Sequence, residues 1–176
     1  RQARNHGISA EWGSRRLHYY DVATLGYNYR LTDLQCALGL AQLARLPAWA
    51  RHRRQLADHY EMRLAGLRKH VRPLRQSSDR HAWHIYVVRL ELERLLVDRD
   101  AVFEALQAEN VRCNVHYRPI HMQPLYADHP AACPEAEAVY RELLTLPLHP
   151  SMSVQDVDTV VDAVAHVLGH FMAPVL

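Results

Sequence analysis

Apolar residues recur at helical spacing in four stretches of the chain, and each stretch opens with residues typical of a helix start. In the first and longest, Thr32 and Gln35 form the T-x-x-Q version of the capping box, and Asp33 lies at the positive end of the helix dipole. Pro47 is expected to kink or restart this helix, which then ends near Gly66–Lys69. The later helices are predicted to begin at Asp98 or Asp100, at Pro134, and at Ser153 with Asp156.

Extended segments lie between these helices. Ala82–Leu92 is apolar on both faces, as in a buried strand, and Val111–Tyr117 alternates between apolar and polar residues. A short extended piece is expected at Leu146–His149, whereas the proline and serines of Val71–Arg80 indicate a connection. The polar face of the second strand consists of Arg112, Asn114, His116 and Arg118. The order of elements predicts a small sheet covered by helices, with the long helix leading into it.

The composition is that of a soluble globular domain. The chain has 176 residues, of which 49% are hydrophobic and 23% charged, and its formal net charge is only +2 at pH 7. Because the charges are interspersed, no nucleic-acid partner is expected. No apolar run approaches the roughly 20 residues of a membrane helix, and no signal peptide is visible at Arg1–Arg4. The three cysteines, Cys36, Cys113 and Cys133, are odd in number and show no paired spacing, which indicates reduced thiols. Reduced thiols predict a cytoplasmic protein.

The 13 histidines raise the question of a metal site. His81 and His84 have H-x-x-H spacing, and Cys113, His116 and His121 are close in sequence. On a strand, however, Cys113 and His116 point to opposite faces, which prevents joint coordination. The sequence also lacks the H-E-x-x-H and paired C-x-x-C motifs of zinc sites. No metal site is therefore expected.

The residues before the first helix form a candidate anion site. Gly26, Asn28 and Arg30 lie just ahead of the capped start at Thr32. The N–H groups and the positive dipole end of a helix N-terminus favour an anion there. Taken by itself the pattern is weak, because most helix starts of this kind hold no ligand.

Several ordered motifs resemble the nucleotide-sugar aminotransferases of the DegT/DnrJ/EryC1/StrS family. Gly26–Gln35, which reads G-Y-N-Y-R-L-T-D-L-Q, followed by Ala37–Leu43, is similar to a characteristic segment of that family, and Asn5–Ile8 resembles the stretch shortly before it. Three further segments match family signatures in the same order: Ala82–Arg89, Val115–His121 and Leu146–Pro150. The resemblance covers nearly the whole chain.

This resemblance implies an α/β chain, the C-terminal α+β part of a fold-type-I enzyme that uses pyridoxal 5'-phosphate (PLP). Residues 1–30 would be the tail of the large PLP-binding domain, residues 31–70 the long bridging helices, and residues 71–176 the small C-terminal domain. The family works as homodimers, in which both subunits build each active site. Its small-molecule partners are a nucleotide sugar and an amino donor.

The resemblance also implies roles for individual residues. Asn28 would donate to the PLP phosphate of the neighbouring subunit, and Arg30 would either assist it or anchor the loop. His116 and Tyr117 match the substrate-facing loop of the family. The neighbouring candidates for substrate binding are Asn114, Arg118 and His121. Without the resemblance, a solvated strand face would be the better interpretation of these polar side chains.

Two further motifs are most similar to one branch of the family. These are Met122–Tyr126 and Cys133–Glu137. They resemble the UDP-4-amino-4,6-dideoxy-N-acetyl-β-L-altrosamine transaminase branch, whose product leads toward pseudaminic acid. That branch transfers an amino group, from glutamate in our expectation, to the C4 ketone of a UDP-linked 4-keto-6-deoxy sugar.

The chain departs from the family in its lysines. Lys69 is the only lysine, and it lies at the predicted end of an amphipathic helix, where a cation faces water. The Schiff-base lysine of the family would instead precede Arg1, so we expect no catalytic residue in this chain and no transaminase activity from it alone. The alternative is a shortened, non-catalytic paralogue that acts as a dimerisation or regulatory module. A missing large domain would also expose the apolar stripe of the Leu34–Leu67 helices.

Overall fold

The computed structural model describes residues 8–9, 21–22, 24–74, 81–128 and 131–172. Most of the Asn5–Ile8 motif and the second half of the predicted Val71–Arg80 connection lie outside these ranges. The chain forms two compact units, Arg1–Pro47 and Ala48–Leu176.

The first unit contains a short antiparallel ladder and the start of the long helix. Strand β1 (Ile8–Ser9) pairs with β2 (Asp21–Val22). Helix α1 begins at Asp33, as expected, because Thr32 and Gln35 cap it reciprocally. The Gln35 amide donates to Thr32 Oγ1 over 3.3 Å, and the Thr32 amide donates to Gln35 Oε1 over 3.0 Å. The predicted capping box is confirmed.

Helix α1 runs from Asp33 to Arg63 with Pro47 inside it. Of the two outcomes expected at Pro47, the restart is therefore wrong, and the kink stays a prediction. A proline removes one backbone hydrogen bond, and a helix of this length keeps the others on both sides. A 3₁₀ segment, Leu64–Leu67, extends the helical region to the predicted end.

The second unit contains a three-stranded antiparallel sheet in the order β3-β4-β5. Its strands are β3 (Val71–Pro73), β4 (Tyr86–Leu90) and β5 (Leu143–Leu146). The interpretation of residues 71–73 as a connection is wrong, because β3 is an edge strand, where the missing N–H of Pro73 is tolerated. The last strand lies three residues earlier than expected, since Pro147 cannot continue the ladder beyond Leu146.

The predicted strand Val111–Tyr117 is also wrong. A single bridge pairs Asn114 with Thr145 of β5, and the rest of the segment is irregular. The alternation indicated burial correctly for Val111 and Cys113, which lie in the core, and not for Tyr117, which is exposed. Strand formation also needs backbone pairing with a partner, and among the described residues the backbone of β5 pairs with this segment only at Asn114.

The remaining helices begin where the sequence predicted. Helix α2 (Arg99–Ala108) is capped by Asp98, which accepts a 2.9 Å hydrogen bond from the Ala101 amide. Helix α3 (Pro134–Glu142) opens with its proline. Helix α4 (Val154–Phe171) carries a complete capping box between Ser153 and Asp156.

One hydrophobic core holds the second unit together. The second half of α1 contributes Leu56 and Tyr60, and the 3₁₀ segment after it contributes Leu64. The Tyr60 hydroxyl donates to the Pro147 carbonyl over 2.8 Å. Helix α4 buries an apolar stripe of Val157, Val160, Val161, Val164, Val167 and Leu168. Burial of about 25 cal/mol per Å² of apolar surface makes this the main stabilising contribution.

The apolar residues of the long helical region divide into two parts. Those in the first half of α1 are exposed, with 61% of Leu38 accessible, together with Leu34, Leu40, Leu43 and Leu46. The expected exposure is thus found in this half, although these leucines lie around the helix and not on one stripe, and it is wrong for Leu56, Tyr60 and Leu64, because those residues pack in the core of the second unit. None of the helices in the described residues combines the length and apolarity that crossing a membrane demands.

Candidate functional site

The segment from Asn114 to His121 forms a loop that is attached at its first end to β5. The Thr145 amide donates to the Asn114 carbonyl over 2.7 Å, and the Asn114 amide donates to the Thr145 carbonyl over 3.0 Å. The Thr145 hydroxyl lies 2.9 Å from Nδ1 of His116. The backbone and the side chain of Thr145 therefore fix the start of this segment. We call residues 114–121 the substrate loop, after the role that the family resemblance predicts for it.

The second end of the substrate loop is attached to α3. His121 Nε2 lies 3.0 Å from Glu137 Oε1, and the His121 side chain is only 14% exposed. Glu137 belongs to the first turn of α3, where a carboxylate is favoured by the helix dipole. His121 is therefore occupied in holding the loop in place.

Tyr117 and Arg118 lie between the two attached histidines and face solvent. Tyr117 is 73% exposed, and its ring contacts the His116 ring edge-on with centroids 4.6 Å apart. The Arg118 side chain is exposed, while its carbonyl accepts from Gln123 Nε2 over 3.4 Å. The peptide bond between His116 and Tyr117 is cis. Both side chains are therefore accessible to a ligand, as is the exposed apolar side chain of Ile120.

Asn114 uses its side-chain oxygen locally. Its Oδ1 accepts a 2.7 Å hydrogen bond from the Val115 amide, which leaves Nδ2 as the donor that it can offer to a ligand. The structure thus brings the five predicted substrate residues into one loop. Within that loop, Asn114, His116 and His121 bond to the protein itself, and Tyr117 and Arg118 point to solvent.

Asn28 and Arg30 lie in the first unit, ahead of α1, and both are exposed. The neighbouring rings of Tyr27 and Tyr29 stack at 5.1 Å. The capping box already engages the amides of Thr32 and Gln35, so an anion here would rely on other groups of the segment. The cofactor-binding roles of Asn28 and Arg30 stay predictions.

The sequence interpretation missed Thr145 and Glu137 as partners of the loop. Thr145 is 6% exposed in a strand that otherwise consists of leucine, and such a buried hydroxyl needs a hydrogen-bond partner. That isolated polar residue was the signal available in the sequence. Glu137 gave no comparable signal, because an acidic residue in the first turn of a helix is ordinary.

Other reactive groups in the described residues are poorly suited to chemistry. Burial raises the pKa of the Cys113 thiol to about 12, so it stays protonated at neutral pH. Lys69 is exposed in the turn that follows the 3₁₀ segment. In the part of the chain that the structure describes, no three His, Cys, Asp or Glu side chains are grouped to hold a metal ion.

Comparison with known proteins decides the family. Residues 1–165 match the DegT/DnrJ/EryC1/StrS aminotransferase family. The chain belongs to this family. Both the family prediction and the predicted α/β fold, with a small sheet and covering helices, are therefore confirmed.

Individual members of the DegT/DnrJ/EryC1/StrS family show how much of an enzyme this chain represents. It is 37% identical over 172 residues to the spore coat polysaccharide biosynthesis protein SpsC of Bacillus subtilis, covering 93% of this chain and 44% of SpsC. The sugar aminotransferase Spr1654 of Streptococcus pneumoniae, in its PMP form, is 28% identical with a TM-score of 0.78, over 96% of this chain and 42% of that one.

Helicobacter pylori PseC, an aminotransferase of pseudaminic acid biosynthesis, superposes with a TM-score of 0.80. It is 24% identical over 97% of this chain and 45% of its own, and the likeness shows the shared fold. The chain therefore spans less than half the length of the relatives it matches.

Proposed function

We propose that this chain is the C-terminal portion of a PLP-dependent sugar aminotransferase. The parent enzyme transfers an amino group from glutamate to the C4 keto group of a UDP-linked 4-keto-6-deoxy amino sugar, in surface-glycan biosynthesis of the pseudaminic acid type. The observation that carries the proposal is the substrate loop, a family motif held at both ends so that Tyr117 and Arg118 face outward. The 37% identity to a polysaccharide biosynthesis protein supports the sugar substrate.

In this proposal the loop binds the nucleotide sugar. The Arg118 guanidinium can form two parallel hydrogen bonds to diphosphate oxygens, which are stronger than bonds between neutral groups. Tyr117 supplies an exposed ring and hydroxyl for the sugar or the base. Asn114 adds a neutral donor through Nδ2. His116 and His121 contribute first by fixing the conformation of the loop.

The described residues include groups suited to binding the phosphate of PLP, but no lysine suited to forming the covalent bond to its aldehyde carbon. Asn28 and Arg30 are exposed beside a helix start, which suits an anion. Lys69, exposed in a turn, has no enclosing pocket of the kind that a cofactor-linked lysine needs. When bound, PLP supplies the electron sink for amino transfer, and the PMP and PLP forms of Spr1654 support this cofactor. The reactive lysine is then contributed by polypeptide other than this chain, which has no activity alone.

We further propose that the parent is a cytoplasmic homodimer with shared active sites. The exposed first half of α1 supports association, because a row of accessible leucines is costly in water. The three cysteines are all free thiols, which supports a reducing compartment.

Calorimetry on the purified chain tests the ligand part of this function. UDP and uridine are titrated separately at low salt. The proposal expects UDP to bind more tightly than uridine, because the diphosphate provides the charged contacts to Arg118. Equal heats for the two compounds, or none for UDP, would contradict a nucleotide-sugar site on this chain.

A further inference from the structure

Thr145 is a polar residue in a strand of leucines. Strand β5 reads Leu-Leu-Thr-Leu, and the Thr145 side chain is buried to the same degree as its neighbours. Valine has nearly the same shape and would fill this space without a buried hydroxyl that needs a hydrogen-bond partner. A threonine here therefore has a hydrogen-bonding role, and its observed side-chain partner is His116.

The direction of that hydrogen bond follows from the chemistry of the two groups. A hydroxyl carries one proton, and His116 Nδ1 is the acceptor observed for it among the described residues. A buried hydroxyl proton without an acceptor is unfavourable, so Thr145 donates and His116 Nδ1 accepts. In a neutral imidazole the ring proton then lies on Nε2.

The second nitrogen of His116 is open to a ligand. Within the described ranges, no protein atom bonds to His116 Nε2, and this atom is absent from the buried atoms there that lack a partner. Nε2 therefore has no partner among the described residues, and the His116 ring contacts the exposed ring of Tyr117. With its proton fixed there, Nε2 offers one N–H donor in the same loop as Arg118.

We propose that Thr145 is a positioning residue that fixes His116 as the Nε2–H tautomer, so that His116 donates to an oxygen of the bound nucleotide sugar. The ligand part rests on the function proposed above. The tautomer itself depends only on the contact between Thr145 and His116, so it can be tested without any ligand. Loss of the hydroxyl frees both the ring orientation and the choice of protonated nitrogen.

Nitrogen NMR of the imidazole rings in the ¹⁵N-labelled chain tests the tautomer. His116 is assigned by the signal that disappears in His116→Gln. The expected result is a protonated Nε2 and an unprotonated Nδ1 in the wild-type chain and in Thr145→Ser, which keeps the hydroxyl. Thr145→Val should show a mixture of tautomers or a reversed one. A protonated Nδ1 in the wild type, or an unchanged tautomer in Thr145→Val, overturns the proposal.

Two controls keep the outcome interpretable. The amide spectrum of each variant reports whether it folds, and if Thr145→Val does not fold, Thr145→Ala, which also lacks the hydroxyl and adds no bulk, takes its place. UDP is then titrated into the folded variants, with a severalfold weaker affinity expected for Thr145→Val than for Thr145→Ser. Equal UDP affinities would overturn the role of His116 in binding. Absence of UDP binding to every form would count against the proposed function and leave the tautomer result standing.

Discussion

His121 and Glu137 join the substrate loop to α3 through a hydrogen bond of 3.0 Å between Nε2 and Oε1. The contact spans 16 residues of sequence and closes the loop at its second end. A histidine that the sequence suggested as a substrate contact thus serves, in the structure, to hold the loop that carries Tyr117 and Arg118.

Replacing Glu137 should loosen this loop. In Glu137→Ala the half-buried His121 loses its partner, and a hydrogen bond to a charged group contributes about 1.5 kcal/mol or more. We expect the Met122 and Gln123 amides, which close the following turn, to exchange roughly tenfold faster in hydrogen-exchange measurements. Glu135→Ala, an exposed change in the same helix turn, is the matched control. Equal exchange in the two variants would show that the contact does not hold the loop.

Acid should weaken the contact between α1 and α4. His59 and Arg63 bind Asp158, and the hydrogen bond from His59 is the main reason why the pKa of the Asp158 carboxyl lies below its ordinary value. Because its pKa is lowered in the folded state, the ionised carboxylate stabilises the fold fully at pH values above the unfolded-state pKa of about 4. This contribution is lost as the pH falls through the folded-state pKa. Asp158→Asn should therefore lower the melting temperature at pH 7, and the difference from wild type should shrink as the pH falls below about 4 and through the folded-state pKa. A difference that persists unchanged in acid would rule out this ionic origin.

Much of the fold could be predicted from the sequence because local signals and burial agree. The α4 stripe from Val157 to Leu168 and the Ser153–Asp156 box are both visible in the residues and both present in the structure. Residues 111–117 show where prediction from the sequence fails. The alternation of apolar and polar residues indicated which positions are buried near the start of the segment. Strand pairing, however, depends on a partner far along the chain, and β5 forms one bridge with this segment, at Asn114.

The role of the predicted site residues stays a prediction, but their structural setting differs from residue to residue. The motif around His116 could not by itself separate side chains that face solvent from those that hold the loop. The difference depends on Thr145, 29 residues away, and Glu137, whose partners are set by tertiary packing. Tyr117 and Arg118 are exposed without such a partner role for their side chains.

The exposed first half of α1 should cause self-association. Accessible leucines in this half of the helix, including Leu34, Leu38 and Leu43, favour burial against a second copy. Light scattering on the purified chain should therefore give a dimer, and Leu38→Glu should shift it toward monomer. Leu96→Glu, which changes an equally exposed leucine elsewhere, should leave the mass unchanged. A wild-type chain that is monomeric at all concentrations would refute the interface.

Lys69 should have no part in amino transfer. Its side chain is exposed in the turn that follows the 3₁₀ segment, whereas a cofactor-linked lysine lies in an enclosed site. With PLP, glutamate and a keto acceptor, the wild-type chain and Lys69→Arg should form the amino product at the same background rate. The rate is measured by chromatography of the amino product. A rate that falls in Lys69→Arg would mean that this lysine is catalytic and that the chain acts on its own.

The affinity for UDP in two arginine variants tests most directly whether the substrate loop is a nucleotide-sugar site. Arg118 lies on the outward part of the loop, and Arg112 is an exposed arginine just before it. Loss of charge-assisted hydrogen bonds of about 1.5–3 kcal/mol should weaken UDP binding by roughly tenfold or more in Arg118→Ala. Arg112→Ala should bind as the wild type does. Equal affinities for the two variants would contradict the account.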